Sequence, residues 1–340
     1  MIPRFNCSAV SLAVLFLAAS TVVHAAAPAS SAPAGFVPEP LLPGGLVIPL
    51  YPPDASFLKR DRINEPERYN IHSGGGPGKT QTVVNIHNPS IEVHLAPGRA
   101  ANGAAVIVVP GGGHRMLWVG SEGSDFVPFF AFYNVSTIVL RNRLRSEGYV
   151  AEVDAVNDAF QAIRYVRAHA EEWKLDPAKI GIVGFSAGGE LAAPAALFYG
   201  DFADKHREPA DPLAQVSPRP DFVGLIYPGP TPFTRDPATK IPADVPPTFV
   251  ASAGSGDRVH ALWAQEYFMP MLKAAVPNLE SHIYGAGDHG GGMKFRNGIP
   301  LSTWQERYMD WFRDLGFLNP PGAETKAARE VAAYAKKAGS

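Results

Sequence analysis

Cysteine is all but missing from this chain of 340 residues: the one cysteine, Cys7, lies near the N-terminus in an apolar segment. Once that segment is removed, neither a disulfide nor thiolate chemistry is available. An excess of one charge is also missing. The formal net charge is −2, which excludes the basic field of a nucleic-acid binder and the acidic tail of a disordered chain. Beyond the N-terminal segment no stretch reaches the roughly 18 apolar residues of a membrane span. No H-E-x-x-H motif, cysteine pair or carboxylate cluster is present, so no metal is expected. No internal repeat is found. Glycine and proline, 33 of each, are plentiful, as in a loop-rich enzyme.

The N-terminus carries the marks of an export signal. Arg4 gives the positive start, Ala9 to Ala19 an apolar stretch, and Val23-His24-Ala25 a small-residue cleavage site. Residues 1–25 are therefore expected to be a signal peptide, and the protein to be secreted or periplasmic with no membrane attachment after cleavage. Residues 26–82, rich in Ala, Pro and Ser at first and ending near Gly74-Gly75-Gly76-Pro77-Gly78, read as a linker and extended arm. A catalytic domain over 83–318 follows. A tail over 319–340 is expected to be an exposed helix or a mobile end.

Regular patterning begins near Thr82. Strands are expected at Val83–Ile86, Ile91–Leu95, Ala104–Val109, Ser136–Leu140, Ile180–Val183, Phe222–Tyr227, Thr248–Ala253 and Ser281–Tyr284. Helices are expected at Glu122–Tyr133, Val153–Glu172, Gly188–Phe198, Ala261–Ala275 and Trp304–Leu315. In the second of these, Ala155, Ala159, Ile163, Val166 and Ala170 form one apolar stripe. Alternating strands and helices imply an α/β fold with a mostly parallel sheet covered on both faces. Trp173, Trp304 and Trp311 are expected in the core.

Gly184-Phe185-Ser186-Ala187-Gly188-Gly189 stands between a predicted strand and a predicted helix. That is the setting of a nucleophile elbow, in which a serine on a strained turn needs small residues two before and two after it. A serine hydroxyl needs a base and a third group to orient that base. In this arrangement the chain order is Ser, acid, His. His289, in the flexible run Gly287 to Gly292, is the expected base, and His260 is its main rival. Asp257, just after the strand Thr248–Ala253, is the expected acid, with Asp288 ranked second. Val106 to Val109 followed by Pro110-Gly111-Gly112-Gly113-His114 puts three glycines after a buried strand. Their amides can approach an oxyanion closely, so Gly112 or Gly113 is paired with Ala187 as its donors. A dinucleotide loop fails here because the third glycine of G-x-G-x-x-G is missing and Arg141 ends the next strand. His114, Phe185 and Trp118 flank the site as expected substrate-binding residues.

These residues resemble a known group. The run Ala101 to Gly113, Glu122-Gly123, Arg141 to Leu144, the helix Asp154 to Arg167, the elbow at Ser186 and Gly287-Asp288-His289-Gly290 look like the bacterial acetylxylan-esterase-type α/β hydrolases. That group is often labelled xylanase-like and is related to the dienelactone-hydrolase and hormone-sensitive-lipase-like esterases. The resemblance implies an α/β-hydrolase fold without a cofactor. It also implies a carboxylesterase acting on small acyl groups of plant polysaccharide or related esters, with Ser186, Asp257 and His289 in the family's catalytic positions. The chain departs from the group at Gly256, where a second acid is common, and at His114, where an aromatic is common. No paired carboxylates of a glycosidase emerge. The alternatives are a peptidase or polyester hydrolase on the same fold, or a binding protein with an inactive site.

Overall fold

The strand β5 (Ala105–Val109) consists of five apolar residues, all fully buried, and the fold is built outward from it. A computed structural model describes residues 35–71, 79–98, 101–206, 211–293 and 298–338. Contacts group residues 34–340 into one unit. The signal-peptide expectation and the glycine run 74–78 lie outside the described residues.

On one side, β5 pairs in parallel with β6 (Ser136–Arg141), which pairs antiparallel with β4 (Ser90–His94). On the other side, β7 (Ile180–Phe185), β8 (Val223–Ile226), β9 (Thr248–Ala253) and β10 (Glu280–Tyr284) continue in parallel. Strands buried on both faces need no polar alternation, which explains their continuous apolar runs. Side chains alternate across β5. Ala105, Ile107 and Val109 enter a core shared with the helices α2 (Val156–Ala168), α3 (Gly189–Leu197) and α6 (Arg258–Lys273). Val106 and Val108 enter a core shared with α1 (Phe126–Phe132) and α7 (Trp304–Asp314). Trp173, Trp304 and Trp311 are buried, as expected, and so is the whole stripe from Ala155 to Ala170.

Several boundaries differ from expectation. The arm is no mere extension: β1 (Leu46–Pro49) pairs antiparallel with β4 and completes an eight-stranded sheet in the order β1-β4-β6-β5-β7-β8-β9-β10. A second strand, β2 (Arg68–Ile71), pairs with β3 (Thr80–Val84) in a separate ribbon. The folded body therefore begins well before residue 83. Glu92, fully buried on β4, accepts the amides of Leu41 and Leu42 and pairs with the buried Arg141 at 2.5 Å. Each of the first two expected helices opens with a π-type turn, at Gly120–Ser124 and Ala151–Ala155. A short helix α4 (Tyr199–Lys205) follows α3. After the four-residue α5 (Pro232–Arg235) and α7, the C-terminal helix α8 (Lys326–Ala338) is docked rather than free. Ala327 and Val331 are buried, and the Tyr334 hydroxyl donates to the Ala274 carbonyl. The buried Lys179 ammonium donates to the carbonyls of Asn319 and Pro320, fastening the chain that leads to α8.

Candidate active site

Ser186 follows β7 directly and has φ +52°, a left-handed backbone that a serine adopts only where its surroundings enforce it. The glycines on either side cannot be replaced freely. A Cβ on Gly184 would stand 2.2 Å from the Gly188 carbonyl oxygen, and one on Gly188 would stand 2.1 Å from that of Val109. The turn leads into α3, whose first amides, like those of any helix, have no partner within the helix.

Asp257 ends the turn after β9, where Gly256 takes φ +92°. It sits at the head of α6 without capping it. Its buried carboxylate serves two imidazoles instead: His289 Nδ1 lies 2.7 Å from Oδ2, and His260 Nδ1 lies 2.5 Å from Oδ1. The two rings stack with centroids 3.7 Å apart. Burial pushes the Asp257 pKa up, but the hydrogen bonds from His260 and His289 outweigh it and hold the carboxyl below its ordinary range. Because a carboxylate only accepts, His289 carries its proton on Nδ1 and presents a lone pair at Nε2. That Nε2 lies 2.8 Å from Ser186 Oγ. The loop after β10 thus carries an imidazole to the elbow, and Ser186, His289 and Asp257 form one hydrogen-bonded chain. His260 joins the chain through the other carboxylate oxygen, not through the serine.

The glycine loop after β5 closes the site from the other side. Gly112 and Gly113 have φ +135° and +62°, and a Cβ on Gly112 would stand 2.0 Å from the Met116 carbonyl oxygen. The Gly111 amide donates to Glu122 Oε2 at 2.8 Å. Among the described residues, the amides of Gly112 and Gly113 have no protein acceptor. Ala187 is buried just after the serine, in the same turn. Trp118 is exposed, and its amide donates to the Gly111 carbonyl and closes the loop.

Two of the expected substrate-binding side chains are placed otherwise. Phe185 is fully buried and packs on Phe126, Tyr227 and Trp304. As the last residue of β7 it obeys the alternation of the sheet and faces the core. His114 is also buried, with φ +56°, and its Nε2 lies 3.4 Å from Glu190 Oε1. It braces the loop from behind. Glu190 in turn pairs with Arg235 at 2.7 Å. The Gly229 amide donates to the Ser186 carbonyl; a cavity of about 900 Å³ opens between α3, α4 and α5, and neither Ser186 nor His289 lines it. Glu190, Pro194, Phe198, Tyr199, Arg235 and Lys240 are among the residues lining it.

Two residues were not singled out from the sequence as part of the site. Glu122 is buried beneath the glycine loop, and Tyr227, at the end of β8 with φ +38°, donates its hydroxyl proton to Glu122 Oε1 at 2.8 Å. Burial raises the Glu122 carboxyl above its ordinary range, against the hydrogen bonds from Tyr227 and Gly111. In the sequence, Glu122 stood out only as part of the Glu122-Gly123 pair of the family resemblance, with no role attached to it. For metals, Asp257, His260 and His289 bring three donor atoms within 4.8 Å of one another. Both Nδ1 atoms are engaged with Asp257, so an ion would enter only by breaking those bonds.

The sheet order, the elbow and the histidine loop define an α/β hydrolase. The sequence carries a further likeness: residues 91–217 match the model of the BD-FAE family. Over 152 residues it is 30% identical to an acetylxylan esterase of Xylanibacter ruminicola, covering 44% of this chain and 25% of that protein. Over 133 residues it is 31% identical to endo-1,4-beta-xylanase B of Butyrivibrio fibrisolvens, covering 36% of this chain and 19% of that protein. The chain therefore matches a quarter or less of these curated relatives. Among solved structures, the acetyl ester-xyloside bifunctional hydrolase of Caldicellulosiruptor lactoaceticus aligns with TM-score 0.61 and 25% identity, covering 84% of this chain and 99% of that one. Esterase 2 of Thermogutta terrifontis, phosphorylated by paraoxon, aligns with TM-score 0.60 and 22% identity over 82% and 97% of the two chains, a likeness of fold. None of the described helices is long and apolar enough to cross a membrane.

Proposed function

We propose that this protein hydrolyses esters of small acyl groups through a covalent acyl-enzyme. The observation that carries this reading is the 2.8 Å contact from Ser186 Oγ to His289 Nε2, continued at 2.7 Å from His289 Nδ1 to Asp257. Ser186 Oγ bonds to the acyl carbon as His289 takes its proton. The amides of Gly112, Gly113 and Ala187 hold the negative oxygen. The carbon–alkoxy bond then breaks, and His289 returns the proton to the departing alcohol. Water repeats the sequence in reverse and frees the acid and the serine. Asp257 fixes the tautomer and stabilises the imidazolium.

Acetyl esters of plant polysaccharide are the substrates this reading favours. An acetylxylan esterase and an acetyl ester-xyloside hydrolase stand among the relatives. The cavity that Glu190 of α3 shares with α4 and α5 also has the mixed character that a sugar calls for, with prolines and Phe198 next to Glu190, Arg235 and Lys240. A wholly apolar slot would instead suit a long acyl chain. In this reading the exposed Trp118, tied to the glycine loop by its amide, offers a flat face to the sugar. In this reading residues 1–25 direct export, and the enzyme works outside the cytoplasm.

Purified protein is expected to hydrolyse p-nitrophenyl acetate and to release acetate from acetylated xylan. Ser186→Ala should reduce both to background. Turnover by the Ser186→Ala variant equal to wild type would refute the mechanism. Preference for peptide or polyester bonds in a substrate panel would redirect the choice of substrate.

A further inference from the structure

The acyl-transfer reading leaves one buried carboxylate unused. Glu122 lies in the π-type turn beneath the glycine loop and is 3% exposed. One of its oxygens takes the Gly111 amide at 2.8 Å and the other takes the Tyr227 hydroxyl at 2.8 Å. The Tyr227 oxygen in turn receives the Gly292 amide at 2.9 Å, three residues past His289. The same stretch is tied down twice more. The Met293 amide donates to the Ser121 carbonyl at 3.0 Å, and the Trp304 indole donates to the Gly292 carbonyl at 3.3 Å. Closeness here demands glycine: a Cβ on Gly292 would stand 1.9 Å from the Ser121 oxygen, and one on Gly111 would stand 2.9 Å from both Glu122 Oε2 and Ser186 Cβ. The Tyr227 ring meets His289 edge to face at 5.2 Å.

The oxyanion donors and the base therefore hang from one small polar hub, although they arise from loops far apart in the chain. We propose that Glu122, acting through Tyr227, is a positioning residue that keeps the Gly111–Gly113 loop and the His289 loop in a common register. This inference rests on the reading of Ser186 and His289 as nucleophile and base. The chemistry of the hub requires a carboxylate. Two donors, the Gly111 N–H and the Tyr227 O–H, converge on two oxygens that only accept. An amide in the same place offers one acceptor and adds two protons of its own, so one of the incoming donors is orphaned. Removing the tyrosine hydroxyl strands the Gly292 amide and one Glu122 oxygen instead. Neither change touches substrate. Each loosens the placement of groups whose value depends on position to within about an ångström.

Glu122→Gln and Tyr227→Phe, each checked for folding by circular dichroism and thermal melting, test the hub in the full-length protein. Both should lower kcat on p-nitrophenyl acetate by about tenfold or more while KM stays within about threefold, the mark of lost transition-state placement. The double variant should be little worse than the poorer single one, because both break the same chain of bonds. Hydrogen exchange of segments 111–118 and 286–293 should speed up together in both variants, a readout that needs no turnover. A folded variant with wild-type kcat, or a double variant in which the two losses multiply, would overturn the hub. Should the glutamine variant fail to fold, Tyr227→Phe decides alone by the same measures. If both loops loosen while wild type neither hydrolyses esters nor labels with a fluorophosphonate, the esterase reading falls and the hub stands.

Discussion

A single buried carboxylate with two imidazoles stacked above it is the most loaded group in the molecule. Asp257 is held ionised by the two rings that donate to it, and folding and protonation are linked through that depression. A carboxyl whose folded pKa is depressed stabilises the fold fully above its unfolded pKa of about 4, and that contribution is lost as pH falls through the folded value. The difference in unfolding free energy between wild type and Asp257→Asn should thus be flat above about pH 5 and shrink below about pH 4. Denaturant titrations of both proteins across pH 2–7 would check it, and a difference that changed with pH only above 5 would contradict it. That Ser186, Asp257 and His289 meet in space was legible because a strained turn, a chain order and a glycine-flanked loop each leave marks in the sequence. Phe185 was misread because the face a strand residue occupies depends on pairing partners elsewhere. Glu122, noted only within the resemblance, was given no role because its meaning comes from Tyr227, 105 residues further on.

Elements carry the site by their ends. Ser186, the turn into Asp257 and the loop to His289 follow the C-terminal ends of β7, β9 and β10, which lie in parallel, so three loops open at the same rim of the sheet. The elbow permits no extra atom. Gly188→Ala would press a methyl against the Val109 carbonyl and should destabilise the fold by roughly 1–3 kcal/mol or more. A thermal melt and a fluorophosphonate labelling rate would both register it, and an unchanged melting temperature would contradict the tight turn. The long buried strands were readable from their apolar runs, and Thr248–Ala253 appears with the bounds expected. The four-residue β1 and β2 were not readable. Their residues are largely exposed or half-buried, so no periodicity distinguishes them from an arm. The π-type turns were equally hidden, since an extra residue in a turn leaves the apolar stripe almost unchanged.

Across the folded body, the β1-β4-β6 side of the sheet is stabilised by charge. Arg141 is fully buried between Glu92 at 2.5 Å and Glu67 at 3.4 Å, and Glu92 also holds the amides that lead into β1. Arg141→Met would leave two carboxylates uncompensated in the interior, and a loss of about 3–5 kcal/mol is expected from such a break. Urea unfolding would measure it, and a change under about 1 kcal/mol would show that the cluster relaxes. The mostly parallel α/β layering was evident from alternation alone, whereas this clasp, made by residues more than forty positions apart, was not. The strand order also has a consequence for the birth of the molecule. Ribosomes deliver the glycine loop first, the serine turn next and the imidazole loop after every strand of the sheet. If Ser186 and His289 act together as proposed, a polypeptide stalled just short of residue 289 would own all ten strands yet present a hydroxyl with no proton acceptor beside it, and so would remain chemically silent until synthesis was nearly done.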